Sequence, residues 1–130
     1  MKKTTREWVR KAEADYRAGE QLQRCVPPVH DVICFHAQQA AEKYLKALLE
    51  ERGLSIPKIH DLLRLLTELL PHYPNLGSLR RGLLTLNDFA VDARYPGESL
   101  TKRNARSALR WAARVREACR TLLGIRPRRV

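Results

Sequence analysis

The sequence predicts an all-α protein, an up-and-down helical bundle of four long helices plus a short one. Five stretches space their apolar residues with the period of a helix, no stretch alternates convincingly as a strand does, and prolines and glycines separate the stretches. A chain of 130 residues has room for one hydrophobic core. We therefore expect a single bundle over residues 1–124 and a basic, frayed tail over residues 125–130.

The first predicted helix runs from Thr4 to about Arg24. Thr4 and Glu7 have the spacing of a capping box, in which two side chains satisfy backbone N–H groups at the helix start. Pro27 and Pro28 interrupt the chain after this helix. The face expected to point inward consists of Trp8, Ala12, Tyr16 and Leu22.

The second predicted helix runs from about Val29 to Arg52 and ends at Gly53. Its apolar stripe is Ile33, Cys34, Ala37, Ala40, Ala41, Tyr44, Leu45 and Leu48. The charged residues opposite the stripe are Glu42, Lys43, Lys46 and Glu50. Val32 and Phe35 project to the polar side, beside Gln39. This apolar pair indicates either a second internal packing face or a dimer seam.

A third helix is predicted from about His60 to Leu70, and a fourth from about Leu76 to Val91. The third is rich in leucine almost all round, so we expect it to be buried on several sides. Asp61 lies near its start, where a negative charge favours the positive end of the helix dipole. The segment from Arg94 to Gly97 is expected to be a turn or extended, because its proline disfavours helix at the preceding residue.

The fifth predicted helix has Thr101 as its N-cap and ends before Gly124. Its apolar face is Ala105, Ala108, Ala112, Val115, Cys119 and Leu122. The opposite face carries a line of arginines, termed the arginine ridge: Arg103, Arg106, Arg110 and Arg114. Like charges at these spacings oppose helix formation by about 0.2–0.5 kcal/mol per pair, and a bound anion would relieve the repulsion.

The net charge of +11 is concentrated at the C-terminal end of the chain. Residues 1–24 carry +3, residues 25–100 carry −1, and residues 101–130 carry +9. Such a concentration favours a polyanionic partner, nucleic acid or an acidic protein, and arginine suits bidentate contacts with phosphate. The alternative is that the charge serves only solubility.

No pattern in the sequence is typical of a metal site, a phosphate-binding glycine loop or a nucleophilic triad, so we expect no cofactor and no bound metal. The three cysteines form no CxxC pair, which favours reduced, mostly packed thiols. Metal-free RNA cleavage needs only a histidine and an arginine. Arg24 and His30 have the one short Arg-to-His spacing, but prolines place them on different elements, and we expect no joint role.

The sequence also indicates the cellular compartment of the protein. No apolar run approaches the roughly 18 residues of a membrane span. The basic N-terminus leads into further charge and not into the apolar core of a signal peptide. We therefore expect a cytoplasmic protein that does not enter a membrane.

Three segments of the chain resemble the HEPN domain family of prokaryotes. They are the run CFHAQQAAEKYLKALL from Cys34 to Leu49, His60-Asp61-Leu62, and Ala93-Arg94-Tyr95-Pro96. The long run is highly specific, and the two short motifs support it by order and spacing. The likeness extends from Trp8 to the last helix. It implies the same bundle, commonly a homodimer, and a neighbouring gene for a minimal nucleotidyltransferase, often as a toxin–antitoxin pair.

Many members of that family resemble metal-independent ribonucleases, in which an arginine in a late helix is followed by a histidine four to six positions later. This sequence departs from the motif. Arg103-Asn104 resembles its opening, but no histidine follows there or after Arg94. The group that would transfer the proton is missing, which favours a protein that is not an enzyme. The alternative is a ribonuclease toxin that uses other residues, with His36, His60 and Arg94 as candidates.

We therefore expect a dimeric partner subunit of a minimal nucleotidyltransferase that binds nucleotide, RNA or an acidic partner through the arginine ridge. A second alternative is a purely structural interaction subunit whose arginines serve only solubility. The residues expected at a cleft or interface are Val32, Phe35, Gln38, Gln39, Glu42, Lys43 and Tyr95. For the polar members of this set, a solvated helix face is the alternative.

Overall fold

The computed structural model describes residues 1–97 and 99–127, and every regular element in those ranges is helical. The long helices and the short one are α1 (Lys3–Leu22), α2 (His30–Glu51), α3 (Leu62–Leu69), α4 (Arg80–Asp92) and α5 (Lys102–Leu122). A 3-10 helix, Pro74–Leu79, immediately precedes α4. The predicted all-α bundle is confirmed.

Helix α2 is the centre of the bundle, because it packs against α1, α3, α4 and α5. Thirteen of its 22 residues are buried, including the whole predicted apolar stripe. Tyr44 is the largest side chain in the core and is fully buried. The core therefore forms around α2 on most of its circumference.

The start of α1 differs from the prediction. The helix begins at Lys3, and none of the described side chains caps it, so the predicted capping box of Thr4 and Glu7 is wrong. The Thr4 hydroxyl donates to the Glu50 carboxylate, and the Thr5 hydroxyl donates to Oε1 of Glu51 at 3.0 Å. These charged acceptors at the end of α2 form stronger hydrogen bonds than a neutral cap does. They bind the start of α1 to the end of α2.

The Asp61 carboxylate caps the start of α3 and accepts from the Leu63 N–H at 3.0 Å. Its Oδ1 also accepts from Nδ2 of Asn87 at 2.8 Å, which joins α3 to α4. Helix α4 itself begins later than predicted, because Leu76 and Leu79 lie in the 3-10 helix. Both leucines are nevertheless buried.

Helix α5 begins as predicted, with Thr101 as its N-cap. The Thr101 hydroxyl accepts from the Asn104 N–H at 3.1 Å, and Oδ1 of Asn104 accepts from the Thr101 N–H at 3.0 Å. In its middle, the Trp111 indole lies directly against the backbone of Gly82 in α4. A β-carbon at Gly82 would overlap the indole ring, so the absence of a side chain permits this approach.

The chain beyond α5 begins in contact with the bundle. The Ile125 N–H donates to the Arg120 carbonyl at 2.9 Å, and the Ile125 side chain packs against the core. The predicted frayed tail otherwise falls partly on residues 128–130, which lie outside the described residues. Over the described ranges, each helix is too short or too polar to cross a bilayer.

We predict that Gly82→Ala destabilises the protein by about 1–3 kcal/mol, because overpacking against the indole outweighs the roughly 1 kcal/mol by which alanine favours a helix over glycine. Urea denaturation measures the difference. Gly77→Ala is the control, because its β-carbon would lie 3.7 Å from Cδ2 of Leu70, an ordinary contact. Equal stabilities for the two variants would contradict the close approach of α4 and α5.

Candidate nucleic-acid interface

The arginine ridge lies on the surface of α5, and all four of its arginines are exposed. The opposite face of the helix is buried and consists of Ala105, Ala108, Leu109, Ala112, Val115 and Cys119. Among the described residues, no carboxylate forms an ion pair with a ridge arginine. The guanidinium groups therefore face solvent with their charges available to an external anion.

The C-terminal end of the ridge is held in place by an aromatic ring. The Arg114 guanidinium lies 4.8 Å from the centroid of the Trp111 ring, within the range of a cation–π contact. Because Trp111 itself packs against Gly82, the position of Arg114 depends on the approach of α4 to α5. This arrangement orders one arginine without neutralising its charge.

Two other arginines of α5 have a structural role. Glu13 of α1 accepts from Nη2 of Arg116 at 3.2 Å and from Nη1 of Arg120 at 3.3 Å. The buried Tyr44 hydroxyl also donates to Glu13. Burial alone would raise the pKa of Glu13, but the hydrogen bonds from Arg116 and Tyr44 and the charges of both arginines outweigh it and lower the pKa below its usual range. The cluster binds α1, α2 and α5 together.

A solvated face was one alternative that the sequence left open for polar residues of α2. The structure instead places two of its charged residues inside the protein. Glu42 and Lys46 are buried, and Lys46 Nζ donates to Oε2 of Glu42 at 3.1 Å. Oε1 of Glu42 lies 3.0 Å from Nδ1 of His60. Lys46 Nζ also lies 5.8 Å from the centroid of the Trp8 ring in α1. Neighbouring elements cover this side of α2, so its charges pair internally.

Gln38 and Gln39, two of the residues expected at a cleft, take part in the same network. Gln38 is buried, and its Nε2 donates to the His60 carbonyl at 3.0 Å. Gln39 is partly buried, and its Nε2 donates to Oε1 of Gln38 at 2.8 Å. The structure thus brings Gln38, Gln39, Glu42 and His60 together, through contacts within the protein.

The candidate catalytic residues lie in separate places. Nδ1 of His36 lies 2.8 Å from Oδ1 of Asp15, and Lys43 pairs with the other oxygen of that carboxylate. His60 contacts Glu42, as described above. Arg94 is exposed in the connection between α4 and α5. In the described part of the chain, no hydrogen bond joins Arg94 to either histidine or one histidine to the other.

The apolar residues expected at an interface are exposed. Val32 is 42% exposed, Phe35 is 37% exposed and Tyr95 is 62% exposed. Neither Val32 nor Phe35 packs against the core, so the prediction of a second internal packing face is wrong. The two side chains lie on a part of α2 that is exposed to solvent. The dimer seam stays a prediction.

The described residues hold no group of three metal-ligating side chains. All three cysteines are free: Cys34 and Cys119 are buried, and Cys25 is exposed. Burial raises the pKa of the Cys34 thiol to about 12, and it raises that of Cys119 further. These two thiols are packing residues and are not nucleophiles at neutral pH.

The model of one family, described as the HEPN domain, matches residues 5–122. Two solved structures are similar. The protein TT1696 from Thermus thermophilus gives a TM-score of 0.78 at 25% identity, over 90% of this chain and 96% of its own. ST0689, an archaeal HEPN homologue, gives a TM-score of 0.76 at 24% identity, over 95% of this chain and 99% of its own. No curated protein matches the sequence.

The buried pair of Glu42 and Lys46 gives a prediction about stability. Glu42→Leu is expected to cost about 3–5 kcal/mol, because it leaves the Lys46 ammonium buried without a counter-charge. Adding Lys46→Met should recover much of this loss, because replacing both charges with apolar groups is far less costly than breaking the pair. Denaturation of the single and double variants measures both effects.

The control for this prediction is the exposed pair of Arg64 and Glu68 on α3, whose charged atoms are 3.9 Å apart. Glu68→Leu is expected to cost less than about 1 kcal/mol. If the two single variants lose similar stability, the pairing of Glu42 is not a structural requirement.

Proposed function

Because the chain belongs to the HEPN domain family, we propose that it is a dimeric, non-catalytic subunit that works with a separate minimal nucleotidyltransferase. In this proposal the arginine ridge binds RNA, and the two proteins form a toxin–antitoxin-like pair. The observation that carries the proposal is the exposure of four aligned arginines without a described carboxylate partner.

The dimensions and chemistry of the ridge favour a phosphate backbone. Arg103 and Arg114 are eleven residues apart, so the ridge is roughly 16 Å long at about 1.5 Å per residue. A guanidinium group binds phosphate through two parallel hydrogen bonds, and its charge persists at every physiological pH. Four such groups on one face suit a polyanion that extends along the helix. An acidic protein face is the competing ligand.

The contacts of the histidines favour a subunit without ribonuclease activity. A histidine that transfers a proton to or from RNA must reach the reacting oxygen. His36 and His60 each direct one ring nitrogen to a carboxylate, and among the described residues no arginine forms a hydrogen bond with either histidine. Binding by the ridge needs neither histidine, because arginines hold phosphate without a general base.

The exposed pair of Val32 and Phe35 supports the dimer part of the proposal. The two side chains lie one turn apart on α2 and together present an apolar patch to solvent. Burial of such a patch against a second copy of the chain would remove apolar surface from water. We assign Val32 and Phe35 to the dimer seam.

The salt dependence of RNA binding tests the ridge. For four phosphate contacts on single-stranded RNA, the logarithm of the association constant should fall against the logarithm of salt concentration with a slope of about −3. Arg103→Ala with Arg110→Ala should reduce the magnitude of the slope by about 1.4, since each lost contact removes about 0.7. Fluorescence anisotropy with a labelled oligonucleotide between 50 and 200 mM salt measures both slopes.

The control for the salt experiment is Lys58→Ala with Arg64→Ala, which removes the same charge from exposed positions in and just before α3. This variant should keep the original slope. A flat salt dependence, or equal effects of the two double variants, would contradict RNA binding at the ridge. If only the complex with the nucleotidyltransferase weakens in the ridge variant, the ridge binds an acidic protein face.

Co-expression with the product of the neighbouring gene tests the partner. We expect a minimal nucleotidyltransferase that co-purifies in a stable complex containing two copies of the present 15.0 kDa chain. Size-exclusion chromatography with light scattering gives the mass of the complex. Val32→Ser with Phe35→Ser should reduce the number of copies of this chain in the complex from two to one, because the change makes the seam polar.

Leu84→Ser with Val91→Ser is the matched control for assembly, since these two apolar residues are similarly exposed on α4. It should leave two copies in the complex. A neighbouring protein of a different kind, or failure of the two proteins to co-purify, would contradict the partner. Two copies in both variants would contradict the seam.

A further inference from the structure

A pocket lies where the connection between α1 and α2 passes the first turns of α5. Its volume is about 490 Å³. The residues that line it are Gln23, Arg24, Cys25, Pro28, His30, Ile33, Lys102, Ala105 and Arg106. It thus brings together Arg24 and His30, which the sequence had placed on different elements without a joint role, and adds two cations from α5.

The charge of the pocket is strongly positive. Arg24, Lys102 and Arg106 are all exposed, and none of them belongs to an ion pair among the described residues. No Asp or Glu is among the described residues that line the pocket. The nearby Asp31 carboxylate accepts from the Leu100 N–H at 3.1 Å. Three permanent cations and one imidazole therefore face the same small volume.

Two helix starts add to this potential. Helix α2 begins at His30 and helix α5 begins at Lys102, so the positive ends of two long helix dipoles meet at the pocket. Side chains cap the start of α5, whereas none of the described side chains caps the start of α2. The N–H groups of Val32 and Ile33 donate to the Val29 carbonyl at 3.1 Å, which leaves those of His30 and Asp31 without a partner among the described residues. These groups are donors that an anion can use.

The walls of the pocket also have an apolar part, formed by Pro28, Ile33 and Ala105. A volume of about 490 Å³ lies within the usual range of small-molecule sites. The pocket thus offers room for an organic body beside the charged group. The combination of cations, helix starts and an apolar wall matches a phosphorylated compound better than a bare ion.

We propose that this pocket binds a terminal phosphate group, the phosphate monoester of a mononucleotide-sized compound or of the 5′ end of an RNA strand. A monoester carries close to two negative charges at neutral pH, whereas each backbone diester carries one. Three convergent cations therefore favour the monoester. Arg24 and Lys102 hold the phosphate oxygens, Arg106 approaches from α5, and the His30 imidazole is a hydrogen-bond partner.

Calorimetric titration with inorganic phosphate, AMP and adenosine tests the pocket directly. We expect saturable binding of phosphate and AMP at one site per chain and no binding of adenosine. Arg24→Ala with Lys102→Ala should weaken AMP binding at least tenfold, because two of the three permanent cations are removed. In ¹H–¹⁵N spectra of the unaltered protein, AMP should shift the backbone signals of His30 and Asp31 most.

The matched control is Arg103→Ala with Arg110→Ala, which removes the same charge from α5 but leaves the pocket residues in place. It should bind AMP as the unaltered protein does, although it is the variant expected to lower the salt slope of RNA binding. The two double variants therefore separate failure of the pocket from failure of the ridge. Thermal unfolding verifies that both variants are folded.

Oligonucleotides with a 5′-phosphate or a 5′-hydroxyl identify the source of the phosphate. A preference for the phosphorylated strand that disappears in the Arg24 and Lys102 variant assigns the pocket to an RNA end. Binding of AMP without such a preference assigns it to a free phosphorylated compound. The proposal is overturned if neither AMP, phosphate nor the phosphorylated strand binds saturably, or if the pocket and control variants bind AMP equally.

Discussion

Helix α2 packs against the other four helices, and the polar side chains on its buried faces must therefore find partners inside the protein. A buried charge without a partner costs several kcal/mol, and such a charge is tolerated when it is paired. Glu42 meets this condition with Lys46 and with His60, which belongs to the connection before α3. The buried Asp15 carboxylate of α1 is likewise paired, with His36 and Lys43 of α2. Together with the apolar core, the polar contacts of α2 thus specify which elements pack against each side of this helix.

The same requirement determines which cations remain at the surface. The chain has 14 acidic residues and 25 basic ones, so the carboxylates are too few to give every cation a partner of its own. On α5, Arg116 and Arg120 face α1 and share its Glu13 carboxylate. The ridge arginines face away from α1, where the structure describes no carboxylate partner. The positive surface of α5 follows from this division between an inward and an outward set of arginines.

The sequence predicted those features that depend on residues close together in the chain. The five helices follow from apolar periodicity, and the N-cap of α5 follows from Thr101 itself. The predicted cap at Thr4 failed because its hydroxyl bonds Glu50, 46 residues away. The buried Lys46 lies near the ring of Trp8, which belongs to another helix. A helical wheel shows which residues share a face, but it does not show what covers that face.

The candidate site shows the same limit. The ridge was predictable, because its four arginines lie on one helix at regular spacing. The pocket was not, because Arg24 and His30 are joined by a proline-containing connection and meet Lys102 only after α1, α2 and α5 have packed. Arg106 belongs to both features, and the ridge extends away from the pocket along α5 toward Arg114. A strand bound on the ridge would therefore reach the pocket at one end, whereas a free nucleotide would occupy the pocket and compete with RNA only at Arg106.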